Sequence, residues 1–423
     1  MIAKIFLKFF KEASIHKSVL RSDGFGEDAM LNSLDSKSIE SRLQPSPTLA
    51  AAETVRRLQM DGKPVFRFDV GEPDFDTPKH VKDAAIEAIE SGFTHYTSAK
   101  GLSELRTAIS DSYKAKGITV KPENVTVFPG SKFALYAVLS LLIESGDGVM
   151  VQDPGWPSYA SIATFLGGSP IFVPAPSKQR FVPTIDSFQE RMTERTKIVI
   201  INSPCNPTGA VYSEQLMTEL SKLCNKRGIT LVSDEIYSAL TYNGQQAPSP
   251  LENAEADKTI VLSGFSKEFA MTGWRLGYAL ASTRFTELLA RFMENTATCT
   301  TSFVQKAAVA ALTGPRDWFK DMLVEYRTRR DTMLEELKKI VGWECEVPDG
   351  AFYCFPRTNF SDTRALEKML LEEKRVSVVA GAHFGRMGEG HVRLSYATST
   401  DNIRRGIEIL RQYVDASSES RAH

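Results

Sequence analysis

The sequence predicts an α/β protein: a large domain on a mostly parallel, doubly wound sheet, with a small α+β domain appended. Three observations carry this. From about Ser46 onward, short β-branched runs bounded by Gly, Pro, Asp or Asn alternate with helical stretches, as in layered α/β architectures. The runs are nearly continuous in apolar residues, which suits parallel strands buried on both faces. After a long, charge-laced helix the pattern changes to a few strands and two helices.

Taken in order, Asn124–Val127 reads as a short strand and Lys132 to about Ile143 as a helix. Val149–Gln152, Ile171–Val173, Thr196–Ile201, Ile229–Ser233 and Thr259–Ser263 read as further strands, with a helix over Ser213–Arg227 among them. The long helix spans roughly Arg316–Ile340, where Phe319, Met322, Leu323 and Tyr326 recur at spacings of three and four. Strands near Gly350–Phe355, Val376–Val379 and Val392–Tyr396 follow, with helices near Thr363–Glu373 and Thr400–Val414. The expected organisation is an extension over 1–40, an arm and part of the small domain over 41–75, the large domain over 76–315, and the connecting helix with the rest of the small domain over 316–423.

Composition narrows the function classes. Lys and Arg number 51 against 52 Asp and Glu, a net charge of −1, so no basic footprint for nucleic acid is expected. The longest apolar stretch, Ala134–Ile143, is about half of the ~20 residues a membrane-spanning helix needs. The five cysteines show no CxxC spacing and the six histidines no HExxH or other close pair. A disulfide framework and a metal site are therefore not expected, and a reducing, cytoplasmic compartment is. Residues 1–21 differ: Lys4, Lys8 and Lys11 share one helical face and Ile2, Ile5, Phe6 and Phe9 the other. That segment reads as an organelle-targeting or surface-associating helix, or as a poorly ordered extension ahead of a start at Met30.

The stretch Ser263–Tyr278, SGFSKEFAMTGWRLGY, holds the most chemistry. Lys267 follows a strand, and Arg275 follows Lys267 by eight residues. A lysine that forms a Schiff base needs burial and neighbouring positive charge to free its amine near neutrality. Arg275 supplies such a charge and suits a phosphate dianion. In isolation a strand-end lysine reads as a surface residue; the GWRLGY context argues otherwise. Asn206 stands in NSPCNPTG, a loop stiffened by Pro and Gly after strand IVII. Asp234, in DEIY, ends another buried strand, where open α/β sheets bind ligands, although Asp there also suits a helix N-cap.

Together these residues compose a site for pyridoxal 5′-phosphate. Asp234 would pair with the pyridine nitrogen, Tyr237 and Asn206 with the phenolic oxygen, and Lys267 with the aldehyde. Gly130, Ser131 and Lys132 open a helix whose free N–H groups suit the phosphate. Trp156, in DPGWPSY, offers a flat face to the ring, its alternative being core filling.

At this point the sequence resembles a known family, the fold-type I, class I/II aminotransferases, and within it the aspartate aminotransferase branch called Ib. The resemblance covers about Ser41 to Val414. It rests on FDVGEPDFDTP, HYTSAKGLSELR, NSPCNPTGAVY, LVSDEIY, FSKEFAMTGWRLGY, DGAFYCF and HVRLSYATS, in family order. It implies that Lys267 is the Schiff-base lysine, that Arg393 grips the substrate α-carboxylate with help from the Gly71 backbone, and that Tyr96 reaches the cofactor phosphate of a neighbouring subunit. A homodimer with shared active sites is thus implied. So is a ping-pong transamination in which the freed lysine amine moves the Cα proton.

Substrate choice must come from residues other than Arg393, since a guanidinium fork fits any α-amino acid. In the Ib branch a helix-start lysine and a threonine in an N-terminal PSxT segment help bind an acidic side chain; the matching residues are Lys132 and Thr48. The expected donors are aspartate and glutamate, with 2-oxoglutarate or oxaloacetate as acceptors. Lys132 read as an exposed helix lysine, Gln44 before PSPT, which makes prephenate less expected, and Phe303 in CTTSF keep aromatic or alanine-type donors in view. Other readings are elimination or decarboxylation on the same fold, and a cofactor-sensing regulator, for which about 40 preceding residues are short and lack a basic recognition pattern. Gly24–Ala29 matches a dinucleotide fingerprint, but no strand precedes it, so the match is fortuitous.

Overall fold

The computed structural model describes residues 47–252 and 258–419, with side chains over 54–252 and 258–417. The expectations for residues 1–40 and for Gln44 lie outside the described residues.

A seven-stranded sheet forms the centre. Its strands are β2 (Val125–Phe128), β3 (Gly148–Asp153), β4 (Ser169–Pro174), β5 (Thr196–Asn202), β6 (Thr230–Asp234), β7 (Thr259–Gly264) and β8 (Gly277–Leu280), in the spatial order β2-β8-β7-β6-β5-β3-β4. β8 runs antiparallel to both of its neighbours, and the pairs among β3 to β7 are parallel. Every residue of β2, β3, β7 and β8 is buried, so their apolar runs reflect cover on both faces. One apolar cluster joins Phe128, Ala134, Val138, Val151, Ile198, Val232 and Leu262, and another joins Val199, Ile201, Met217, Leu220 and Leu231.

The expected strands of this sheet form within one or two residues of their anticipated ends. β8 is the strand of this sheet that pattern reading misses, because it is only four residues long and opens on Gly277. Glycine is required there for a steric reason: a Cβ on Gly277 would stand 2.4 Å from the Ser131 backbone nitrogen.

Beyond the sheet, the helix Asp317–Leu337 packs against Thr400–Glu419. Short strands accompany them: β1 (Phe66–Arg67) parallel to β10 (Val376–Ser377), and an antiparallel sheet β11 (Val379–Ala380), β12 (Val392–Ser395), β9 (Tyr353–Cys354). Two expectations are corrected. The strand anticipated over Gly350–Phe355 shortens to Tyr353–Cys354, since Ala351 adopts φ 55° and turns the chain. The run Val376–Val379 divides at Val378 between two different sheets.

Candidate active site

β5 ends at Asn202 and β6 at Asp234, which are register partners, while Asp234 pairs in turn with Leu262 of β7. The loops leaving these strands therefore open along one carboxyl edge, the ligand-binding edge of such sheets. A cavity of about 600 Å³ lies there, lined by Gly71, Ser131, Lys132, Trp156, Asn206, Asp234, Tyr237, Lys267, Arg275 and Arg393 among others. These are residues singled out from the sequence. Gly130 sits beside them, its missing Cβ directed 2.5 Å from Arg275 Nη2. Tyr96 does not line the cavity and is 86% exposed. Thr48 falls in the first turn of the helix Pro47–Met60, and its side chain lies outside the described residues.

Lys267 donates from Nζ to the Gly71 carbonyl at 2.5 Å. Burial pushes its ammonium down to about 8; Glu72 opposes this, while Arg393 and then Arg275 add to it. Burial thus outweighs the neighbouring charge stressed from the sequence, and Arg393 precedes Arg275 as the electrostatic contributor. Asp234 closes a turn: its Oδ1 accepts from the Ile236 amide at 3.2 Å and its Oδ2 from the Tyr159 hydroxyl at 2.8 Å. No α-helix starts after it, so it is not a helix cap. Burial raises its carboxyl to about 6 against those two bonds and the Lys267 charge, the environment of a carboxylate awaiting a cationic partner.

Arg393 is buried and held at both ends. Its Nη1 donates to Asn206 Oδ1 at 2.9 Å and its Nη2 to the Asp69 carbonyl at 2.6 Å. Its guanidinium carbon lies 4.6 Å from the Tyr353 ring centroid and 5.2 Å from that of Phe384. Its Nε is buried without a hydrogen-bond partner. A buried guanidinium whose two hydrogen bonds go to neutral oxygens calls for an anion. Because Asn206 Oδ1 faces Arg393, the amide NH₂ of Asn206 is turned away from the guanidinium. Lys132 Nζ lies 4.7 Å from the Trp156 ring centroid, and burial together with Arg275 lowers its ammonium.

The site fits the cofactor expected from the sequence. No side chain caps the helix Ser131–Leu142, whose N-cap Gly130 has φ 93°, so N–H groups at its start are open to an anion beside the Arg275 guanidinium. A buried carboxylate and a buried amine share the cavity, as a pyridine nitrogen and an aldehyde require. Asp69, Glu72, Tyr159, Asn202, Ser266, Thr272 and Tyr353 also line it. All seven lie within the motifs quoted above without standing out there; for Tyr159 and Tyr353 the partners that give them meaning lie far along the chain.

Comparison with known proteins agrees with this geometry. The family model for aminotransferase class I and II matches residues 63–410. The chain is 36% identical over 388 residues to the aspartate aminotransferase of Bacillus subtilis (strain 168), covering 89% of this chain and 98% of that protein. It is 36% identical to the probable aspartate/prephenate aminotransferase of Aquifex aeolicus, covering 89% of this chain and 97% of that one. Among solved structures, the Thermus thermophilus aspartate aminotransferase with maleate superimposes with a TM-score of 0.84 at 36% identity, covering 88% of this chain and 97% of that chain.

Proposed function

This chain belongs to the class I and II aminotransferases, a pyridoxal-phosphate-dependent family, and on that premise we propose aspartate and glutamate as its amino donors, with 2-oxoglutarate or oxaloacetate as acceptors. The observation that carries this reading is the presence in one cavity of two separate cations suited to two carboxylates, Arg393 and Lys132. The similarity to aspartate aminotransferases, one of them solved with the dicarboxylate maleate, supports the same choice.

The roles follow from the surroundings of each group. Ser131, Arg275 and the helix start at Gly130 hold phosphate; Trp156 flanks the ring; Asp234 holds the ring nitrogen's proton; Asn206 and Tyr237 donate to the ring oxygen. Lys267 would hold the cofactor at rest, and the cofactor would supply the electron sink that makes Cα–H cleavage possible. Arg393 fixes the substrate through its α-carboxylate, and the Gly71 backbone borders the same place. Once the substrate's amine has replaced it on the cofactor, the freed Lys267 amine would take the proton from Cα, its basicity moderated by burial. Proximity makes that transfer effectively intramolecular.

Tyr96, exposed on this chain, serves the phosphate of the neighbouring subunit in a homodimer. The division at about 75/76 and 315/316 is supported by the pairing of β1 with β10, which ties the arm to the small domain. All five cysteines are free thiols, which accords with a cytoplasmic setting, and among the described residues no helix is long and apolar enough to cross a membrane.

A donor-by-acceptor activity panel, run beside Lys132→Ala, tests the substrate choice. Aspartate turnover should lose roughly tenfold or more in kcat/KM, the scale of one lost charge-assisted contact, while alanine turnover changes little. Equal effects on both donors would contradict the assignment.

A further inference from the structure

The wall of the cavity contains a fully buried tyrosine that touches both of its halves. Tyr353 Oη lies 2.8 Å from Tyr237 Oη, and its ring lies under the Arg393 guanidinium at 4.6 Å. The same hydroxyl stands 2.7 Å from where a Cβ on Gly71 would be. The Tyr353 backbone is in register with Ser395, two residues past Arg393 on β12. Preceding it, Ala351 at φ 55° has its carbonyl bonded by the hydroxyls of Tyr242 and Tyr396, so the segment delivering Tyr353 is fixed.

We propose that Tyr353 is a positioning residue with two separable jobs: its hydroxyl donates to Tyr237 and thereby turns the Tyr237 proton toward the cofactor's ring oxygen, while its ring sets the Arg393 guanidinium for the substrate carboxylate. The first follows from counting protons. A tyrosine hydroxyl has one, so Tyr237 can give its own to a ligand only if the proton shared between the two oxygens is that of Tyr353. Burial raises both phenols, so both remain neutral donors. Hydrogen bonds in series polarise one another, and Tyr237 is then a stronger donor than it would be alone. The second job follows from the guanidinium lying between two aromatic rings, Tyr353 and Phe384, with its Nη groups bonded to Asn206 and Asp69. The rings pack against the guanidinium and the two bonds fix its Nη groups, so its orientation in the cavity wall is set before a ligand arrives.

This inference rests on the cofactor site proposed above, and its test is arranged to fail separately. Holoenzyme is prepared from the wild type, Tyr353→Phe and Tyr353→Leu. Two quantities are read: the pH midpoint of the bound cofactor's absorbance change, and the Kd for maleate. With Tyr353→Phe, the weaker donation to the ring oxygen leaves more charge there to hold the neighbouring imine proton. The midpoint therefore rises by roughly half a pH unit, while the maleate Kd stays within about twofold because the aromatic face remains. With Tyr353→Leu the midpoint rises similarly and the maleate Kd increases by roughly five- to tenfold. An unmoved midpoint in Tyr353→Phe overturns the hydroxyl role, and a raised maleate Kd in that same variant overturns the ring role, even if Tyr353→Leu does not fold. A normal Kd in folded Tyr353→Leu overturns the ring role as well. Failure of the wild type to bind the cofactor or to form its amine with glutamate would instead sink the underlying site.

Discussion

Lys267 is subject to opposed influences that set the pH at which it can act. Burial lowers its ammonium to about 8 from an ordinary 10.5, and Glu72 limits the fall. In cofactor-free protein, acylation of Lys267 followed across pH by peptide mass spectrometry should show a midpoint near that value. A midpoint above 10 would contradict the burial argument. The sign for stability follows: the unfolded chain holds this proton more tightly, so cofactor-free protein gains stability as pH rises from about 8 toward 10.5, and gets no such gain below 8. Asp234→Asn removes the carboxylate proposed to keep the ring nitrogen protonated, and turnover should fall roughly a thousandfold. A loss below tenfold in steady-state assays would count against its role. Lys267 and Asp234 stood out in the sequence because each ends or follows an apolar strand within a short motif, whereas Arg393 was named only through the family resemblance. Tyr159 and Tyr353 did not stand out, because their meaning depends on partners 75 and 116 residues away.

At the scale of elements, the proposed phosphate cradle depends on how closely β8 approaches the start of the helix Ser131–Leu142. A Cβ on Gly277 would stand 2.4 Å from the Ser131 nitrogen and 2.8 Å from the Gly130 carbonyl carbon, both backbone atoms that cannot rotate away. Gly277→Ala should therefore displace the helix start, costing about 1–3 kcal/mol of stability and weakening cofactor binding roughly tenfold or more. Thermal denaturation and cofactor titration read the two effects, and unchanged affinity would show that the cradle tolerates the shift. The same contact explains the limits of pattern reading. Strands β3, β5 and β7 declare themselves by continuous apolar runs, whereas β8 is selected for small size at one position. The Val376–Val379 run likewise gives no sign that Val378 divides it between two sheets, since both halves are fully buried.

For the whole molecule, the proposed dimer makes each site a joint product. Mixing Lys267→Ala with Tyr96→Ala subunits, each inactive alone, should regenerate sites in which an intact Lys267 meets an intact Tyr96 from its partner. Random two-fold pairing leaves about one site in four complete, so activity should recover to about a quarter of the wild-type value after refolding or subunit exchange. No recovery in demonstrably mixed dimers would mean that Tyr96 acts within its own chain or not at all. The layered architecture was readable from alternating element types. The strand β1 was not, because two residues, Phe66–Arg67, are too short to produce a periodic signal.

Borohydride reduction of the cofactor-saturated protein, followed by peptide mass mapping, addresses the central claim directly. The account predicts a single pyridoxyl adduct on the peptide containing Lys267. An adduct on another lysine, or none in saturated protein, would contradict it.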